Sequence, residues 1–326
     1  MCGQWSEEGY IRSAKENLPR SLALADWKRL ADELNAHQIS SVILRGGEPF
    51  LFPDIVELLE YINSKRIFVS LDTNGTLLKK YAADIVRIGN IHITISVDGP
   101  EEIHDQVRGM KGCFRKIKEG VDRLLEVERN SGRNISRAIC FTISPYSVSG
   151  LGKMPDVARS LSINTLVIVP YNYISTTMGN RYAKELKDYF KTTAFSWTGF
   201  HHENSGVDFD EFQKEYRKYI AGLNGIRNYP YMVFSEVDYR TWFGNPTTQI
   251  GSPQCTNIEK LIDIQPDGNA NFCVDTPDYS FGNVKDATIE ALWNSEKASR
   301  FREYRRKNPL SACYRCVSKH MSENTG

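Results

Sequence analysis

The chain has 326 residues, 41 basic against 40 acidic, a net charge of +1, and 40% hydrophobic residues. That length permits one large domain or two ordinary ones with ample core. The charge balance excludes a chain-wide field for nucleic acid or anionic lipid, and no apolar run approaches the ~18 residues of a membrane helix. The first residues, Met-Cys-Gly-Gln-Trp, lack the basic start and apolar core of a signal peptide, so the protein is expected in the cytoplasm. Seven cysteines, an odd number in a reducing compartment, point away from a disulfide framework and toward metal or cluster ligation.

The first half alternates helical and strand patterns. The spacing of Leu22, Leu24, Trp27, Leu30 and Leu34 predicts a helix over 22–35. A short strand over 41–44 ends in Arg45-Gly-Gly-Glu-Pro49, and a helix over 52–62 follows. A strand over 66–71 stops at Asp72-Thr-Asn-Gly75, before a helix over 77–88. A strand over 91–97 stops at Asp98-Gly-Pro100. A helix over 114–128, a strand over 138–143, a helix over 155–161 and a strand over 165–169 complete the series. Strands joined by helices pair in parallel with right-handed crossovers. The pattern predicts an α/β fold, a parallel (β/α)6-type, TIM-like partial barrel, with a doubly wound sheet as the alternative. In both, chemistry belongs just past the C-terminal ends of the strands, where the distinctive short motifs stand.

Beyond Tyr171 the alternation stops. Residues 171–254 hold half of the chain's aromatic residues, with helices predicted over 181–191 and 209–223. They are read as a helical connecting and substrate-side segment after a first domain over 1–170. A third part over 255–326 starts at Cys255. There Gln265-Pro-Asp-Gly268 predicts a hairpin turn, and 287–304 a helix. Cys255, Cys273, Cys313 and Cys316 form a set, C-x17-C, then C-x2-C after a gap of 39 residues. Four such thiolates suit tetrahedral zinc or one [4Fe–4S] cluster, and spacing does not choose between them. Cys113 and Cys140 read as small buried hydrophobes. His201-His-Glu203 reads as an exposed loop. The basic run from Arg300 to Lys307 reads as a solvated helix face, or as a dock for an acidic electron donor such as flavodoxin.

The rim motifs carry a resemblance. Gly46-Gly-Glu-Pro49 after a strand, Asp72-Thr-Asn-Gly75 on the next, Ser96-Val-Asp-Gly99 on the third, and His104-Asp-Gln-Val-Arg108-Gly109 beyond resemble the radical SAM enzymes. The similarity is to the branch that includes sulfatase-maturing and peptide-modifying enzymes. It implies reductive cleavage of S-adenosylmethionine (SAM) to a 5′-deoxyadenosyl radical, which abstracts hydrogen from a peptide or carbohydrate-like substrate. Gly46, Gly47 and Glu48, with Pro49 closing the motif, would meet the SAM ammonium. Ser96 would bond the ribose or methionine part, Arg108 the carboxylate, and Asp98 either SAM or the next turn. Asn74 falls in the same set, or only shapes its own turn.

The resemblance also gives Cys2 a place. The family carries C-x3-C-x2-C after its first barrel strand, and Cys2-Gly-Gln-Trp5 is similar to the end of that motif. Cys2 is therefore expected to be the third ligand of a catalytic [4Fe–4S] cluster. Its two companions and the first barrel strand would lie before Met1, leaving the 326-residue chain inactive. The expected explanation is an internal Met1, with a C-x3-C-M-C pattern upstream in the reading frame. The C-terminal set, with Phe281-Gly-Asn283 and Trp293, resembles the SPASM/twitch extension. That implies one auxiliary [4Fe–4S] cluster held by Cys255, Cys273, Cys313 and Cys316, used for electron transfer with a flavodoxin- or ferredoxin-like donor. Two other readings stand beside this one: a non-catalytic, SAM-binding member, and a zinc-stabilised β/α binding protein.

Overall fold

The computed structural model describes residues 3–4, 9–13, 21–230 and 232–318. Cys2 lies outside the described residues, as do the strand and cysteines expected before it. A short helix α1 (Tyr10–Ser13) precedes α2 (Leu24–Ala36). The alternating part then runs β1 (Ser41–Leu44), α3 (Ile55–Ser64), β2 (Phe68–Thr73), α4 (Leu78–Ile88), β3 (Ile91–Ser96), α5 (Glu101–Arg108), α6 (Cys113–Ser131), β4 (Ser136–Ile143), α7 (Met154–Ser160) and β5 (Thr165–Pro170). Further along come α8 (Thr176–Glu185), α9 (Phe209–Gly222), β6 (Arg227–Pro230) and α10 (Glu236–Gly244). The C-terminal part holds α11 (Asn257–Lys260), β7 (Asp263–Ile264), β8 (Asn269–Asn271), β9 (Gly282–Asn283), α12 (Ile289–Trp293) and α13 (Glu296–Lys307).

The chain forms two compact units. One comprises residues 27–170 and 207–230; the other comprises 1–26, 171–206 and 231–326. The first holds a parallel sheet with strands in sequential order β1-β2-β3-β4-β5-β6. A doubly wound sheet reverses its strand order at a switch point, so sequential order selects the barrel-type succession. Leu71, Ile93, Ile95, Ile139, Phe141, Leu166 and Ile168 are buried on one face of the sheet. The alternate positions Asp72, Thr94, Ser96, Cys140 and Thr142 are only half-buried and form a polar second face. Cross-strand register places Asp72 beside Thr94 and Ser96 beside Cys140. On the helical side α4 and α6 cross closely: a Cβ on Gly120 would stand 2.6 Å from Leu78 Cβ. Glu128, buried near the end of α6, pairs with Arg137 at 2.7 and 3.0 Å and accepts from Ile135 N at 2.6 Å.

Five strands fall where the patterns predict them. The sixth, β6, was not expected, because Arg227-Asn-Tyr-Pro230 has no apolar alternation. Among the described residues it bonds only β5, and an edge strand tolerates its proline. Helix α5 also lacks an apolar stripe: His104 is its only buried residue. In the second unit the predicted helix over 287–304 is two, broken at Asn294-Ser295, where Ser295 caps α13 by accepting from Ala298 N. The predicted hairpin is β7–β8, extended by β9 into a three-stranded antiparallel sheet. No described helix is long and apolar enough to cross a membrane.

Candidate functional site

At the C-terminal end of β1 the chain turns through Gly46 and Gly47, both exposed. Gly46 has φ 155° and nothing within 4 Å of where a Cβ would stand. A side chain there would be strained and would fill open space over the backbone. Glu48 then fastens the turn to the end of β2. Its Oε1 accepts from Thr73 Oγ1 at 2.8 Å and Phe50 N at 3.2 Å, and its Oε2 accepts from Asn74 N at 2.7 Å. Pro49 opens the 3-10 turn Pro49–Leu51, which Glu48 caps. Asn74 spends its side-chain oxygen on its own turn, accepting from Thr76 N and Oγ1 at 2.9 and 2.7 Å. Thr73 was not singled out in the sequence, yet it links Glu48 to Gly75 N through one hydroxyl.

Ser96 ends β3 on the half-buried polar face. Asp98 is 0% exposed, with Oδ2 at 2.7 Å from Arg108 Nη2, whose side chain is 30% exposed. That contact is an ion pair without hydrogen-bond alignment, because Oδ2 has no hydrogen-bond partner. Asp98 Oδ1 accepts from Thr142 N at 3.3 Å. Burial pushes the Asp98 carboxyl pKa up, opposed by Arg108 and the Thr142 N–H. Asp105, nearer to Arg108 in sequence, accepts from Gly112 N and Phe114 N and fixes the start of α6. Asp98 does not cap α5: Pro100 stands at its N-cap.

His104 is buried beneath this pair, and its Nδ1 accepts from Asp98 N at 3.1 Å. That leaves the proton on Nε2, which is buried with no hydrogen-bond partner among the described residues. Burial, then the nearby Arg108, lowers its pKa to about 4, against a smaller opposing pull from Asp105. The ring is therefore neutral and positions the turn. Cys113 is buried as expected. Cys140 is half-buried on the polar face; burial, Asp72 and Asp98 push its thiol up to about 12, so it stays protonated. Burial also raises the Asp72 pKa, with Arg45 and Thr94 opposing.

The second unit gathers the four C-terminal cysteines, all half-buried. Cys255 receives the N–H groups of Asn257 and Ile258 at the start of α11. Cys273 follows β8, its N–H held by Asn271 Oδ1 at 2.9 Å. Cys313 lies in the 3-10 turn Ser311–Arg315, and Cys316 ends it. Burial raises the Cys273 thiol pKa most, and the other three cysteines raise it further, so all four lie within electrostatic range. Among the described residues no three His, Cys, Asp or Glu side chains stand ready to grip a single ion. Two arginines frame the set. Arg315, inside the C-x2-C pair, donates to the carbonyls of Thr241, Trp242, Asn245 and Thr248 at the end of α10 and beyond, and to that of its neighbour Tyr314. Arg305 is 1% exposed on α13. The basic run is thus no simple solvated face, since Arg302 and Arg305 point inward; Arg302 lies 4.8 Å over the Trp293 ring. His201 and Glu203 join each other and Thr176 in an exposed loop.

The donor sets fit the groups the resemblance implies. A carboxylate and two exposed glycines suit an ammonium group, and four thiols beside a buried guanidinium suit an anionic metal–thiolate centre. Residues 1–139 match the family model of the Radical SAM superfamily, and residues 255–317 that of SPASM, an iron–sulfur cluster-binding domain. The chain is 22% identical to the pre-heme d1 synthase of Dinoroseobacter shibae over 97% of its own length and 76% of that protein. It is 24% identical to the subtilosin biosynthesis protein AlbA of Bacillus subtilis, over 97% and 64%. The first curated relatives are spanned over only 32–42% of their length. Among solved structures, Streptococcus suis SuiB superposes with a TM-score of 0.63 at 15% identity, over 91% of this chain and 66% of that one. An anSMEcpe structure with bound AdoMet and a peptide gives 0.60 at 16%, over 99% and 88%. Both likenesses concern the fold. Residues 1–139 thus carry a Radical SAM domain, and residues 255–317 a SPASM iron–sulfur cluster-binding domain.

Proposed function

We propose that the protein is a radical SAM peptide-modifying enzyme. The observation that carries the reading is one chain holding both the Gly46-Gly-Glu-Pro49 rim and four gathered C-terminal cysteines. A peptide is favoured by the alignment with AlbA, a bacteriocin biosynthesis protein, along nearly the whole chain. Cys2 supplies one thiolate to the catalytic cluster. Once reduced by the external donor, the bound cluster would supply the one electron that cleaves the sulfur–C5′ bond of SAM, the chemistry by which hydrogen would be taken from substrate. The protein's residues orient and exclude water. The carbonyls of Gly46 and Gly47 and the Glu48 carboxylate receive the SAM ammonium, and Arg108 its carboxylate. For that, Arg108 turns from Asp98 or bridges both anions, as a guanidinium fork allows. Ser96 and Asn74 complete the wall. Cys255, Cys273, Cys313 and Cys316 hold an auxiliary [4Fe–4S] cluster that passes electrons, with a flavodoxin- or ferredoxin-like donor outside. The similarity to the pre-heme d1 synthase supports a second reading, a tetrapyrrole substrate.

The test is anaerobic reconstitution with iron and sulfide, then SAM and a strong reductant, with 5′-deoxyadenosine measured. Protein carrying a full C-x3-C-x2-C motif around Cys2 is expected to hold about eight irons and to form 5′-deoxyadenosine. Eight irons without 5′-deoxyadenosine points to the non-catalytic reading. One zinc and no iron points to the zinc-stabilised one. Deuterium carried from a labelled peptide or tetrapyrrole into 5′-deoxyadenosine separates the two substrates.

A further inference from the structure

Three arginines are buried in the unit that carries the four cysteines, and they are satisfied very differently. Arg315 donates to five carbonyls. Arg302 donates to Trp293 O at 2.6 Å, and its guanidinium lies over the Trp293 and Phe272 rings, although its Nη1 has no hydrogen-bond partner among the described residues. Among the described residues Arg305 has one hydrogen bond, Nη1 to Asn308 O at 2.5 Å, and its Nη2 is buried with no partner. Among the described residues no carboxylate pairs with it. The next residue, Arg306, pairs with Glu259 at 2.7 Å and so holds α13 against α11, the helix that follows Cys255. Burial works against the Arg305 charge, and the four cysteines act the other way, each favouring the charged guanidinium. A guanidinium does not escape burial by losing its proton. A buried cation left without an anion is strongly unfavourable, so the fold places Arg305 there for an anion that the cysteines organise.

We propose that Arg305 is the built-in counter-charge of the auxiliary cluster, its free Nη2 donating to the cluster's sulfur ligands and raising its reduction potential. The proposal rests on the reading that Cys255, Cys273, Cys313 and Cys316 hold iron and sulfide. Reduction adds an electron to a centre that four thiolates already make negative. A fixed positive charge and a hydrogen bond to sulfur stabilise the reduced form more than the oxidised one. Arg305 is a positioning and tuning residue. It needs no proton transfer, so its effect is flat across the pH range in which the protein is folded.

The test uses the full chain in a Cys2→Ala background, so that the signal belongs to the C-terminal cysteines. Arg305→Gln and Arg305→Lys are reconstituted anaerobically and titrated with dithionite under electron paramagnetic resonance. Arg305→Gln is expected to lower the reduced-to-oxidised ratio at fixed potential about tenfold, a midpoint shift of about 59 mV for one electron. Arg305→Lys is expected to stay within about threefold of wild type, because the charge remains. An unchanged midpoint in Arg305→Gln overturns the proposal, as do equal shifts in both variants. If Arg305→Gln retains no iron, retention by Arg305→Lys supports the counter-charge, and loss from both assigns Arg305 to packing alone. Zinc without iron in the wild-type chain refutes the cluster reading itself, and metal analysis shows that before any variant is titrated.

Discussion

Replacing Glu48 with glutamine tests the joint between β1 and β2. The carboxylate accepts from three donors, two through Oε1 and one through Oε2. A glutamine oxygen can keep the bonds from Thr73 and Phe50. The amide nitrogen then faces Asn74 N, donor against donor. One bond to a charged acceptor is lost, worth about 1.5–3 kcal/mol, and an N–H is left unmet for about 1–3 more. The site is half-buried, so water recovers part of this, and the net expectation is about 2–3 kcal/mol. That is roughly a hundredfold in the folding equilibrium. Urea denaturation followed by circular dichroism reads it as a lower midpoint at unchanged slope. Glu48→Gln within about 0.5 kcal/mol of wild type would refute the assignment of Glu48 as the joint. A second readout separates structure from binding. On the proposed reading SAM raises the Tm of the wild type more than that of Glu48→Gln, and equal shifts in both remove the ammonium contact.

His104 gives a pH signature. Its folded pKa of about 4 lies below the ordinary histidine value, so the unfolded chain binds the extra proton. Stability therefore rises with pH between about 4 and 6.5 and is lost as pH falls through that window, by up to about 3 kcal/mol. Asp98, Asp105 and Arg108 face the same ring, so the quantity to measure is the difference between wild type and His104→Phe, and a flat difference curve contradicts the buried neutral ring. Glu128→Ala strands Arg137 and the Ile135 N–H; a loss of about 3–5 kcal/mol in urea unfolding is expected. A loss under about 1 kcal/mol would mean that the pair is solvated. Cys273→Ala is expected to remove about four irons per reconstituted chain, and full retention would show that these cysteines are not the ligands.

The barrel strands were legible because strands between helices repeat one pattern, and the rim glycines announce where that pattern stops. The four-cysteine set was legible from chemistry: C-x2-C beyond a hairpin is rarely idle. Other features depend on tertiary neighbours and leave no local signal. β6 is an edge strand that borrows its place from β5. α5 buries only a histidine, which no apolar periodicity marks. α10 did carry a signal, Ser235 with Asp238 forming a capping box, that a search for helix starts would find. Arg302 and Arg305 sit in a run of charge that reads as solvated, and only the rings and cysteines around them turn it inward. Asp98 and Arg108 stand ten residues apart and meet because α5 folds back over the strand end.

Arg315 has a consequence for how the cluster is delivered. Four of its carbonyl bonds tie the segment between Cys313 and Cys316 to α10 and the turn after it, with no contribution from metal. Small zinc modules fold only around their ion. Here the segment between the two thiols is held by an organic anchor, so on the proposed reading an arriving cluster meets a pair already positioned, and Arg305 is left waiting for its anion.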